Sequence, residues 1–211
     1  MLKLLSRYAK SIALIAGFIF GVIGSLWSFV VVDRLGEEQR QLSNVKADVT
    51  RQIQSLNSTA SDYFVANQQG DLIFILAQQD SARRDVAGLV YKANLLDRAT
   101  PVRNMIGALV LAKQLDYRQT YDAYEKLNDE TRANFTADNY FKLKEVEKDL
   151  IAKGQARVSA LLDNQAVIDN AINANEAAQN QNRILGLITS NLGALLLLLA
   201  NLTAGRSKEV K

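Results

Sequence analysis

The stretch IALIAGFIFGVIGSLWSFVVV, residues 12–32, decides how the rest of the chain is read, because it runs for 21 residues without an Asp, Glu, Lys or Arg. At about 1.5 Å of rise per residue such a helix is roughly 30 Å long, the thickness of a bilayer hydrocarbon core. A second stretch of the same kind, ILGLITSNLGALLLLLANLTAG, occupies residues 184–205. Both are expected to be transmembrane helices. The first is preceded by Lys3, Arg7 and Lys10, as a signal peptide would be. Its apolar run is longer than a signal core, though, and VVVDRLGEE offers no small-x-small cleavage site, so it is read as an uncleaved anchor.

The two spans divide the 211 residues into five parts: a basic tail at 1–11, a span at 12–32, a middle region at 33–183, a span at 184–205 and a basic tail at 206–211. Three cations lie in each tail, so by the positive-inside rule both termini are expected in the cytoplasm. In a bacterial cell this places the protein in the inner membrane with its middle region in the periplasm. Of the 25 Lys+Arg and 22 Asp+Glu, the middle keeps all but the six tail cations and Glu209, so it is slightly acidic. The net charge of +3 therefore belongs to the tails, and nucleic acid is not an expected partner. With no cysteine and no histidine, thiol nucleophiles, Ser-His pairs and imidazole metal ligands are excluded. No phosphate loop or metal-binding motif appears either. The expectation is a non-enzymatic protein with no cofactor and no metal.

In the middle region apolar residues recur at helical spacing, with Leu42, Val45, Val49, Leu56 and Tyr63 as the first stripe. No window alternates as a strand does. NQQGD at 67–71 reads as a turn, with Gly70 closing one helix and Asp71 capping the next. Thr100-Pro101 reads as the second boundary, since the only proline favours the first turn of a helix. LNDETRANFTADN at 127–139 reads as a polar connection with Thr136 and Asp138 capping the last helix. The predicted fold is all-α: two transmembrane helices flanking an extracytoplasmic antiparallel bundle, expected to have four helices, the first and last continuous with the spans. By this division the first helix beyond the membrane is shorter than the last by about thirteen residues, a mismatch relieved if Gly154 breaks the last helix, if that helix begins above the other helix tips, or if the bundle is not a simple four-member one.

Small residues four apart, Ala13, Gly17, Gly21 and Ser25, form a ladder in the first span, and Gly186, Ser190 and Ala194 form one in the second. Such rows let helix backbones approach closely within lipid. They are expected to be packing faces, either against each other or against another subunit, with Asn191 as a polar contact between helices. Gln165, Asn175 and Gln179 fall near the seam of the last helix. Arg83 and Arg84, with the stripe Tyr117, Tyr121 and Tyr124, form a candidate pocket for a small anionic ligand or a partner, against the alternative that the tyrosines are packing residues. LIFIL at 72–76 reads as core at one end of the bundle, or as a partner surface.

The order short basic tail, span, about 150 residues of helices, span resembles the sensor half of bacterial chemoreceptors and of related histidine kinases with a four-helix-bundle ligand domain. The resemblance covers the whole chain at the level of architecture. It implies piston-like signalling across the membrane, here to a separate cytoplasmic partner, because only RSKEVK follows the second span where chemoreceptors carry a HAMP linker and signalling coiled coil. Three functional classes follow. The first is an accessory or scaffold subunit that contacts membrane lipid and other membrane subunits or a second copy of itself. The second is a chemoreceptor-like sensor, and the third an oligomeric pore.

Overall fold

In the computed structural model, residues 2–79 and 84–205 are described, with side chains described over 8–76, at 86 and over 88–202. The described residues form four helices and no strand: α1 (Leu2–Gln79), α2 (Arg84–Leu111), α3 (Tyr117–Ala133) and α4 (Ala137–Gly205). The all-α reading holds, and α1 and α4 each contain a stretch long and apolar enough to cross a membrane. Only 11% of the most apolar window of α1 and 17% of that of α4 are buried, the reverse of what a core helix of a soluble protein shows. The chain divides into two compact units, Ala47–Ala166 and a second made of the residues up to Lys46 with those from Val167 onward.

In the unit Ala47–Ala166 all four helices contribute to one core. The α2 stripe is Tyr91, Leu95, Arg98, Val102, Met105 and Leu109, all of them fully buried. Its steps alternate four and three, so one helix face stays on the core for five turns. Cross-helix pairs set the directions. Asp71 meets Lys144 while Thr50 meets Gln165, so α1 and α4 are antiparallel. Arg103 meets Glu125 while Tyr91 packs on Phe135, so α2 runs against the α3 hairpin partner.

Two expected boundaries are corrected. Gly70 does not end a helix; it is buried inside α1, where a Cβ would come within 2.6 Å of Asn94 Oδ1 and 3.0 Å of Arg98 Nη1. The glycine is there for close approach, not for a turn. Pro101 likewise lies inside α2, because the buried stripe passes through it without a change of phase. Packing on both sides outweighs the lost backbone hydrogen bond, a tertiary override of a local preference.

The real break follows Leu111. There Lys113 takes a left-handed φ of 57°, and Gln114 N and Lys113 N donate to Leu109 O and Val110 O at 3.0 and 2.8 Å. This is a Schellman closure built on lysine instead of glycine. Asp116 then caps α3 by accepting from Gln119 N at 2.9 Å. α3 continues through most of the expected polar connection, and Thr136 caps α4 by accepting from Asn139 N at 3.3 Å. Gly154 stays inside α4, with the Met105 sulfur lying where its side chain would be. The length mismatch disappears, since 33–79 and 137–183 are equal in number once α1 extends to Gln79.

In the other unit, α1 and α4 pair antiparallel. Backbone contact is closest where the glycines meet: a Cβ on Gly193 would lie 2.5 Å from Gly21 N and 2.7 Å from Gly17 O, and one on Gly24 would lie 2.7 Å from Ser190 N. Beyond the glycines a polar zipper takes over. Trp27 Nε1 donates to Asn182 Oδ1 at 3.1 Å, Asn175 Nδ2 to Leu35 O at 3.0 Å, and Gln39 Nε2 to Glu176 Oε1 at 2.8 Å. Lys46 and Asp169 close it with an ion pair at 2.6 Å.

Candidate functional site

The packed face of the first span is Gly17, Gly21, Gly24 and Ser28, not the row Ala13, Gly17, Gly21 and Ser25. Ser25 is exposed and Ala13 only half-buried, while Gly24 is buried and Ser28 meets Gly186. On α4 the face is Gly186, Ser190, Gly193 and Leu197, and Ala194 is exposed. The reason is geometric. Each four-residue step turns about 40° past a full turn, so three steps drift about 120°, whereas alternating four and three drifts only about 20° per heptad. Asn191 is also exposed, about 160° round the helix from Gly193, and so is not placed to bond α1. Of the expected seam amides, Asn175 and Gln179 donate to α1 carbonyls, with Gln179 reaching Val32 O at 3.4 Å. Gln165 Nε2 donates to Thr50 Oγ1 at 3.4 Å in the four-helix unit.

Of the arginine–tyrosine constellation, only the tyrosines have described side chains. Arg83 and the side chain of Arg84 lie outside the described residues. The helix position of Arg84 is nineteen residues from Arg103, about 28 Å along α2, and Arg103 sits opposite Glu125 in the middle of α3. The tyrosines themselves divide. Tyr117 and Tyr121 stack on each other with centroids 5.0 Å apart, and Tyr117 is exposed. Tyr124 is buried and donates to Glu147 Oε1 at 3.4 Å.

That contact leads to the polar centre of the four-helix unit, which sequence periodicity had passed over. Arg98 on α2 and Glu147 on α4 form an ion pair at 2.6 Å with both side chains fully buried. Tyr63, Tyr91, Tyr124 and Tyr140 surround it. Beside it Asp71 receives Lys144 and the Tyr140 hydroxyl, and the Tyr140 ring stacks on Phe74 at 4.2 Å. Burial pushes the four tyrosine hydroxyls far above the ordinary phenol range. Burial also raises the Glu147 carboxyl, against the pull of Arg98. For Asp71 burial acts in the same direction, but Lys144 and Tyr140 outweigh it and hold the carboxyl low. Nε and Nη1 of Arg98 find no partner among the described residues. A sealed pair of this kind cannot reach a solute. What it can do is fix which residue of α2 faces which residue of α4, since any slip leaves a charge buried alone. The signal in the sequence is a charged residue at a stripe position on each helix: Arg98 in phase with Leu95 and Val102, Glu147 in phase with Leu143 and Leu150.

LIFIL is divided as well. Ile73 and Phe74 pack against the core, whereas Leu72, Ile75 and Leu76 are 63%, 50% and 57% exposed. On the first turns of α2, Val86, Leu89 and Val90 are also exposed. The last turns of α1 and the first turns of α2 thus present six large aliphatic side chains to solvent. Among the described residues no group of three or more His, Cys, Asp or Glu is arranged to hold a metal. Comparison with protein-family models, with curated proteins and with solved structures finds no match to this chain.

Proposed function

We propose that the chain is a non-enzymatic, two-span membrane protein that serves as an accessory or scaffold subunit of a membrane complex, with both termini cytoplasmic and residues 33–183 outside the cytoplasm. The observation that carries this reading is the aliphatic tip formed by Leu72, Ile75, Leu76, Val86, Leu89 and Val90. A cluster of this kind on a folded unit marks a surface that another molecule covers. The core of the same unit is closely packed around a fully buried ion pair, which suits a module that presents a surface. The test is native mass spectrometry of the full chain in mild detergent, with co-purified subunits identified, for the wild type and for Ile75→Ser with Leu89→Ser. The scaffold reading expects a defined partner subunit bound to the wild type and lost from the double variant, with helix content unchanged. Unchanged recovery of that partner from the variant would overturn it.

A sensor that signals to a separate cytoplasmic protein is the second reading, favoured by one observation: α1 and α4 are unbroken helices of 78 and 69 residues. For that reading the wild type would carry no stable partner subunit and would gain thermal stability on adding a small anion.

A further inference from the structure

A cavity of about 640 Å³ lies along the α1–α4 pair where the apolar stretches meet the polar zipper. One end is lined by Gly24, Ser25, Ser28, Leu187 and Ser190, so its floor is shallow and its walls are small. The other end is lined by charged groups, among them Asp33 and Arg183. Neighbouring charges are matched within α1: Arg34 pairs with Glu38 at 3.4 Å, and Arg40 with Glu37 at 3.4 Å. Asp33 and Arg183 pair neither with each other nor with any other described residue. One cavity therefore carries an unmatched carboxylate and an unmatched guanidinium at the end of a trough of glycine and serine flanked by Phe29, Val32 and Leu187.

We propose that this cavity is a binding site for a zwitterionic phospholipid with a primary ammonium headgroup, its phosphate on Arg183, its ammonium on Asp33 and one acyl chain along the trough. A guanidinium fork takes a phosphate through paired N–H donors. A primary ammonium donates hydrogen bonds to a carboxylate, which a quaternary ammonium cannot do. An anionic headgroup would satisfy Arg183 and leave Asp33 facing like charge. A charged headgroup joined to an apolar tail puts the headgroup at the charged end and the tail beside Phe29, Val32 and Leu187, and residues 33 and 183 are the first charged positions outside the two apolar stretches.

The site rests on the reading of 12–32 and 184–205 as membrane spans, and the experiment keeps the two apart. The full chain is placed in vesicles of equal parts phosphatidylethanolamine, phosphatidylcholine and phosphatidylglycerol with identical acyl chains, then extracted in mild detergent for native mass spectrometry. The expected result is one retained phosphatidylethanolamine per chain, favoured over phosphatidylcholine by roughly tenfold. Asp33→Asn is expected to erase the preference over phosphatidylglycerol, and Arg183→Gln to lower retention of all three. Equal retention by the wild type, or a preference for phosphatidylglycerol, overturns the site whatever the variants do. Alkaline extraction of the same vesicles reports on the spans. A chain released by alkali breaks the membrane reading, while a chain that stays embedded without the lipid preference breaks the site alone.

Discussion

The two compact units solve the same packing problem with opposite materials. Where α1 and α4 pair through their apolar stretches, the contact is glycine on backbone, and the large side chains Phe18, Phe29, Leu195 and Leu198 point outward with 56% to 73% exposure. In the four-helix unit the large side chains point inward, with Tyr63, Tyr91, Tyr124, Tyr140 and Met105 all but fully buried. On the proposed membrane reading, the difference is the solvent each unit faces. In water, burying apolar area is the driving force, so bulk goes inside. In lipid the tails are as apolar as leucine, little is gained by burying it, and association depends on close van der Waals contact between small residues. The contrast also fixes which kind of substitution each unit tolerates.

The largest effect expected is in the four-helix unit. Glu147→Ala leaves the Arg98 guanidinium buried without its partner, at a cost of about 3–5 kcal/mol, read as a lower unfolding midpoint by circular dichroism. The double change Arg98→Met with Glu147→Leu should recover most of that loss, since a well-packed apolar pair can replace a buried ion pair. If the single and double variants are equally unstable, the centre is not held by the charge pair.

Next comes the glycine-seamed unit. Gly193→Leu drives a side chain into the backbone of Gly17 and Gly21 and should cost about 1–3 kcal/mol of α1–α4 pairing, measured as thermal stability in detergent. Gly21→Ala is the sharp control, because a Cβ there meets nothing within 4 Å and its effect should be near zero. Comparable losses from both would mean that the pair is not specified by direct backbone contact.

The third effect depends on pH. Asp71 has a lowered carboxyl pKa in the folded chain, so its contribution is present above the ordinary carboxylate range and is lost as the pH falls through the lowered value. Asp71→Asn should start from a lower midpoint at neutral pH and lose less on acidification than the wild type. Parallel acid-dependence curves for the two would remove Asp71 from the polar centre. Smallest of all, Arg103→Lys gives up a two-pronged contact with Glu125, at 2.6 and 2.7 Å, on a partly exposed surface. A midpoint loss of about 0.5–1 kcal/mol is expected.

Helix content and both apolar stretches were legible in the sequence because they rest on long runs and strict periodicity. Positions of the breaks were not. Gly70 and Pro101 are the residues that punctuate chains, and here one answers a neighbour's side chain while the other is carried through by the stripe around it. The true break hides behind Lys113, in a conformation usually left to glycine, and its one overt signal is Asp116 three residues before Gln119. Small-residue rows were legible in kind but not in phase, because a four-residue ladder was followed where the helix pair uses a heptad. Arg98 and Glu147 were hidden by the habit of reading charge as surface. Their phase with Leu95 and Leu143 places them inside.

The heptad spacing of the glycines has a mechanical consequence. Gly17 and Gly24 are seven apart, as are Gly186 and Gly193, and the antiparallel pair seats 17 on 193 and 24 on 186. Sliding one helix by a single turn in one direction would bring Gly21 onto Gly193 and Ser28 onto Gly186, so a second register of small residues lies one turn away. In the other direction a slip of three residues would seat Gly21 on Gly186 but press Leu14 onto Gly193. The pair thus works like a toothed rack whose pitch is one helical turn and whose preferred slip runs one way only.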